Sequence, residues 1–173
     1  MLRRSFIEKS LFSLPLISSG PLFGSSKKEP GFKIGLAQWS FHREIRSRKL
    51  DNLDFAKTAK EKFDINVVEY VNQFFFNKAK NLSYLSEMKT RANDVGVKNL
   101  LIMIDDEGSL GGSSEKKRNK AIDNHKKWVE AANFIDCESI RVNAQGDGSE
   151  MEVAKHASES LSKLAEFARP YNI

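Results

Sequence analysis

Val67-Val68-Glu69-Tyr70-Val71 is a short apolar run interrupted by a single charge, and the chain holds three counterparts: Ile34–Ala37, Leu100–Ile104 and Ile140–Val142. The runs begin at 34, 67, 100 and 140, so successive starts lie 33, 33 and 40 residues apart. Each is followed by a stretch with helical apolar spacing. This is the length of one strand-plus-helix unit joined by a right-handed crossover. The runs of Val, Ile and Leu do not alternate with polar residues, which is the pattern of a parallel sheet covered on both faces. The expected fold is therefore α/β: a parallel sheet built from about four βα units.

The helical stretches support this reading. Leu53, Ala56, Ala59 and Phe63 form one apolar stripe, and Leu82, Leu85, Met88, Ala92 and Val95 a second. Ile122, His125, Val129, Ala132 and Ile135 form a third, and Ala154, Ala157, Leu161, Leu164 and Ala168 a fourth. Each stripe recurs at three- and four-residue steps, as a helix lying on a sheet requires. Asp51 is placed to cap the first helix, and Ser149 with Glu152 forms a capping box for the last. Gly96 closes the second helix as a left-handed cap. Phe63-Asp64-Ile65 and Ile135-Asp136-Cys137 put Asp at a helix end, where a left-handed Asp costs about 1 kcal/mol more than Gly.

The composition, 40% apolar and 29% charged over 173 residues, is that of one globular domain with a real core. A closed (β/α)8 barrel needs roughly 250 residues, so the chain is too short to close one alone and four units amount to about half of one. Such a half leaves two sheet edges unpaired, and a homodimer is one assembly that would cover them.

Residues 1–26 read as a separate segment. Arg3-Arg4-Ser5-Phe6-Ile7-Glu8-Lys9 precedes the apolar stretch Leu11–Ile17, which is too short to span a bilayer. The segment resembles a twin-arginine export signal, implying an exported, periplasmic protein with no stable membrane anchor. Residues 27–173 then form the folded domain. The single Cys137 excludes an intramolecular disulfide and reads as core. Arg3, Arg4 and Lys9 against Glu8 account for two of the five net positive charges. The remaining excess, and a basic run at 115–120 without interleaved aromatics, argue against nucleic acid as a partner.

At the strand ends stand the residues that carry chemistry. Glu69 and Arg141 are charges inside apolar strands, each third in its run, where burial without a partner would be costly. Alternate strands feed one interior layer of a barrel, so the two are expected to pair beneath a substrate, with Asn143 one step higher on the face of Arg141. Gln38, Trp39 and Ser40 close the first strand, where an aromatic can stack on the flat face of a ligand, and His42 follows within reach. Asp105 and Asp106 end the third strand, but adjacent side chains point to opposite faces, which disfavours a shared metal. His125 reads as a core histidine bonded to a strand or loop carbonyl, and His156 as exposed. The Gly-rich loops 108–114 and 146–149 match no nucleotide-binding pattern and read as flexible loops of the strand-end face.

Together, Lys33-Ile-Gly-Leu-Ala-Gln-Trp-Ser-Phe41, Val68-Glu-Tyr-Val71, Leu100-Leu-Ile-Met-Ile-Asp105, Asn124-His-Lys-Lys-Trp-Val-Glu-Ala-Ala132 and Ser139-Ile-Arg-Val-Asn143 resemble the sugar phosphate isomerase/epimerase family, from Lys33 to Ile173. The resemblance implies the N-terminal half of a xylose isomerase-like TIM barrel and a sugar or polyol as small-molecule partner. It also implies a divalent metal, Mn2+ or Mg2+, whose first ligand in that family is a glutamate on the fifth strand. The metal ligands are thus expected beyond this chain, and no catalytic residue within it. Gln38, Trp39, His42, Glu69, Arg141 and Asn143 are the expected substrate-binding residues. Three readings follow: the N-terminal part of a metal-dependent sugar isomerase or epimerase, inactive alone; a truncated half barrel; and a non-catalytic exported carbohydrate-binding protein.

Overall fold

The computed structural model describes residues 31–173, so the segment read as an export signal lies outside the described residues. Lys33–Ile173 forms one compact unit. Four strands, β1 (Leu36–Ala37), β2 (Val67–Val71), β3 (Lys98–Met103) and β4 (Ser139–Arg141), lie side by side in that order, and every neighbouring pair is parallel. The crossovers carry helices α1 (His42–Arg46), α2 (Phe55–Phe63), α3 (Leu82–Asp94) and α4 (Glu115–Phe134), and α5 (Glu150–Ala168) follows β4. Short 3-10 turns at Gln38–Phe41, Asn52–Asp54 and Asn72–Lys78 complete the connections in the first half.

The helix termini follow their local chemistry. The Asp51 carboxylate accepts the Leu53 amide at 2.8 Å and starts the turn leading into α2. Ser149 and Glu152 form the reciprocal capping box of α5. Gly96, Asp64 and Asp136 all adopt left-handed backbone, at φ of 66°, 53° and 59°. Both aspartates therefore occupy the conformation that glycine adopts without cost.

Val68, Tyr70, Ile102 and Ile104 face the helices and pack with Phe55, Leu85, Met88, Trp128 and Ile135 into the main core. Alternation then sends Glu69, Val71, Leu101, Met103 and Arg141 to the opposite, inner face. In register, Ala37, Glu69, Leu101 and Ser139 form one row across the sheet, and Val71, Met103 and Arg141 the next. The register shifts between Val68 and Glu69, so Leu100 is an extra residue on β3.

Several sequence expectations shift here. The helix-facing side of the sheet is buried, but the inner side is only partly covered, with Leu101 and Met103 half-buried. β1 shrinks to two residues and Ile34 is exposed, because an edge strand has one partner to pair with. Phe63 and Leu82 also stand exposed, while Phe55, outside the expected stripe, is fully buried. His156 is half-buried rather than exposed, and its Nδ1 has no hydrogen-bond partner among the described residues. His125 is core, but its Nδ1–H donates to Ala121 O at 2.7 Å in its own helix, where the carbonyl four residues back is already within reach.

Candidate functional site

The C-terminal ends of the strands converge on one face, the face at which barrels of this architecture place their sites. At the end of β1, Gln38 turns inward and is fully buried. Its Oε1 accepts the Val71 amide at 2.9 Å, and its Nε2 donates to Asn52 Oδ1 at 2.6 Å. Asn52 in turn donates to the Tyr84 hydroxyl at 2.8 Å. Gln38 is therefore occupied in bracing β1 against β2, so its amide is not presented to a ligand.

Trp39 points the other way and keeps 42% of its surface exposed. Its ring stacks on His42 at 5.0 Å and 12°, and on Phe74 at 6.0 Å and 29°. The Arg46 guanidinium lies 5.0 Å from the Trp39 ring centroid, and His42 Nδ1–H donates to Trp39 O at 2.7 Å. Three flat groups thus form an aromatic shelf at the end of β1, with the Trp39 ring partly open to solvent. Beside it opens a cleft of about 580 Å³ lined by Arg46, Gln73, Phe74, Phe76 and Asp106. Gln73 is central to its polarity: its Oε1 accepts from Arg46 at 3.3 Å and its Nε2 donates to Asp106 at 2.7 Å.

A second polar group lies at the ends of β3 and β4. Asn143 Nδ2 donates to Asp105 Oδ1 at 2.8 Å, and Arg141 Nη1 donates to Asn143 Oδ1 at 2.5 Å and lies 3.7 Å from Asp105 Oδ1. The expected Glu69–Arg141 pair is not formed. Both side chains lie on the inner face, but β3 separates their strands by about 10 Å of sheet. Asp105, two residues beyond the register partner of Arg141, is the nearer carboxylate. Glu69 is half-buried and makes no hydrogen bond or ion pair among the described residues.

The Gly-rich loops brace one another. Gly111 N donates to Gln145 O at 2.9 Å, and Ser113 supplies both its amide and its hydroxyl to Asp147. Those donors hold the Asp147 carboxyl below its ordinary pKa. A Cβ on Gly146 would fall 2.0 Å from Gly111 O, so only glycine permits the contact. The expectation of flexible loops is corrected accordingly. The amides that might have met a phosphate, Ser113 N and Ser149 N, are taken by Asp147 and Glu152.

The divalent metal implied by the family resemblance does not fit the residues present. Among the described residues no three His, Cys, Asp or Glu side chains converge, Asp105 faces a guanidinium, and Asp106 is held by Gln73. Sequence reading missed Arg46, Asn72, Gln73, Phe74 and Phe76. For all but Arg46 the signal was position: the run Asn72-Gln73-Phe74-Phe75-Phe76 directly follows the strand Val67–Val71.

Comparison with known proteins identifies the fold. No family model and no curated protein matches the chain. Among solved structures it resembles D-psicose 3-epimerase from Clostridium cellulolyticum, determined with D-tagatose, at 13% identity and a TM-score of 0.68, covering 82% of this chain and 50% of the other. It also resembles 3-keto-D-glucoside 4-epimerase from E. coli, at 19% identity and a TM-score of 0.59, covering 81% and 53%. A sugar phosphate isomerase/epimerase from Parabacteroides distasonis matches at 16% identity and a TM-score of 0.60, over 86% and 51%. The chain therefore has the fold of the N-terminal half of a xylose isomerase-like TIM barrel. It spans about half the length of each of these proteins.

Proposed function

We propose that this chain supplies the sugar-holding half of an isomerase or epimerase barrel. The observation that carries this reading is the shelf of Trp39 between His42 and Phe74, open to solvent beside a cleft whose wall combines Arg46, Gln73 and Asp106. An aromatic floor with donors and acceptors at its margin is what a polyol needs: ring C–H groups on the flat face, hydroxyls on the rim. Arg141, Asn143 and Asp105 form a second rim across the strand ends. In this reading the metal and the groups that move protons between sugar carbons belong to residues outside this chain, and residues 1–26 direct export to the periplasm by the twin-arginine route.

A non-catalytic carbohydrate-binding role is the second reading, favoured by a shelf whose stacking needs no metal. Titration of the full chain with D-tagatose and D-fructose, followed by tryptophan fluorescence with and without Mn2+, tests both. Trp128 is fully buried, so a saturable change reports Trp39. Saturation abolished in Trp39→Ala supports sugar binding at the shelf, and saturation unaffected by Mn2+ favours the non-catalytic reading. No saturation with either sugar overturns both.

A further inference from the structure

We infer that Lys127 is a positioning residue for the cleft, held by the buried carboxylate of Glu107 against the ring of Phe76 and fixing that ring as the cleft wall. The inference rests on reading the cleft as a sugar site. Its starting point is the tripeptide Asp106-Glu107-Gly108, which follows β3. Asp106 and Gly108 both adopt left-handed backbone, at φ of 61° and 103°, on either side of Glu107. A Cβ at Gly108 would meet the Ala121 Cβ at 3.0 Å, so α4 packs directly on this turn. Such a doubly constrained turn persists only where the surroundings hold it.

The turn sends its two carboxylates in opposite directions. Asp106 goes to the cleft, onto Gln73, whereas Glu107 goes into the core and is 4% exposed. A buried carboxylate requires compensating donors. Glu107 Oε1 receives two, Trp128 Nε1–H at 2.6 Å and Lys127 Nζ at 2.7 Å. The Lys127 ammonium, drawn in by that carboxylate, comes to rest 4.9 Å from the Phe76 ring centroid and 5.6 Å from that of Trp128. Phe76 also tilts against Trp128 at 6.2 Å. Phe76 is 38% exposed and lines the cleft. A surface phenylalanine would ordinarily exchange rotamers; here a cation on its face and an indole at its side select one. Glu107 and Lys127 thus act on the cleft through Phe76, without lining it themselves.

The test compares the full wild-type chain with Lys127→Arg and with the double variant Glu107→Gln, Lys127→Met. The double variant removes the cation without leaving a buried charge unpaired, and Gln keeps an acceptor for Trp128. Fluorine-labelled phenylalanine, with the Phe76 signal assigned through Phe76→Leu, reports the ring directly. D-Tagatose titration reports the cleft. The expected result is a shifted, averaged Phe76 signal and an affinity about fivefold weaker in the double variant, the scale of one partly desolvated cation–π contact. Both readouts should stay near wild type in Lys127→Arg. An unchanged Phe76 signal in the double variant overturns the inference, as does a changed signal with unchanged affinity. A wild-type chain that binds no sugar overturns the sugar-site reading and the role assigned to Lys127 within it, while the Phe76 signal still decides whether Lys127 fixes the ring.

Discussion

Asn72 and Asp105 exchange two hydrogen bonds across the ends of adjacent strands: Asn72 Nδ2 donates to Asp105 O at 2.8 Å, and Asp105 N donates to Asn72 Oδ1 at 3.0 Å. Asn72 is fully buried, and its amide continues the β2–β3 ladder where backbone pairing stops. Its neighbour Gln73 enters the cleft, and Asp105 carries the Asn143–Arg141 group. The clamp therefore sets the height of both parts of the candidate site. Asn72→Ala removes one partner from each bond and leaves the Asp105 backbone groups unpaired in a partly buried place. The expected loss is about 2–3 kcal/mol of unfolding free energy, two bonds at roughly 1 kcal/mol with a desolvation penalty. Urea unfolding measures it, and a loss below about 0.5 kcal/mol would show that water replaces the clamp.

Stability should fall at both ends of the pH scale for identifiable reasons. Burial pushes the Cys137 thiol from 9.0 up to about 12, with the neighbouring Asp136 and Glu138 acting in the same direction, and burial also raises Tyr70. A raised folded pKa means that the unfolded chain releases its proton first. The contribution is complete below pH 9 and is lost progressively as pH rises toward 12. Burial lowers the pKa of His125, partly opposed by its bond to Ala121 O. Its contribution is present above the ordinary histidine value and is lost as pH falls below it. Urea midpoints across pH 5–10.5 should trace a plateau with a decline on each side. In Cys137→Ala the alkaline decline should be shallower, and native Cys137 should resist thiol reagents at pH 8 until the chain unfolds.

The fold was legible because its signal is redundant. Three spacings of similar length, four apolar stripes and three termini all require the same parallel units, and a misplaced boundary such as Ile34 changes none of them. The site was legible only where a side chain's role depends on chain position alone. Trp39 and His42 follow a strand end and reach the shelf. Gln38 has the same sequence position but faces the other way, and nothing in a one-dimensional pattern shows that Asn52 and the Val71 amide await it. The Glu69–Arg141 expectation failed on register and distance: Glu69 lies level with Ser139, so Arg141 stands one row higher with Val71 and Met103, β3 lies between the two strands, and Asp105 is the nearer carboxylate.

The left-handed aspartates offer a measurement of opposing small terms. Asp136 at φ 59° bears a conformational cost of about 1 kcal/mol relative to glycine. Its carboxylate also pairs with Lys89 at 2.8 Å, an exposed ion pair worth about 0.5 kcal/mol or less. The backbone term wins, so Asp136→Gly should raise stability by about 0.5 kcal/mol. High salt should widen the gain slightly by removing the ion pair from the wild type. Thermal unfolding at low and high salt checks both signs.

Glu69 provides the sharpest separation between the pair expected from sequence and the arrangement observed. If it were the partner of Arg141, replacing it would cost about 1 kcal/mol, because Arg141 is exposed and a stranded guanidinium there would be largely solvated. In the structure Arg141 is held by Asn143 and Asp105, and Glu69 stands half-buried among Ala37, Leu101 and the Val67 side with no compensating donor among the described residues. A partly desolvated carboxylate without a partner is a cost to the fold, so its removal should be neutral or favourable. Glu69→Gln should leave the urea midpoint unchanged, and Glu69→Leu, which also adds apolar cover to Leu101, should raise stability by about 0.5–1 kcal/mol. The double variant with Arg141→Ala should show additive effects, because residues that share no partner do not couple. A coupling energy above about 1 kcal/mol in that cycle would restore the direct pair and displace Asp105 as the anchor of Arg141.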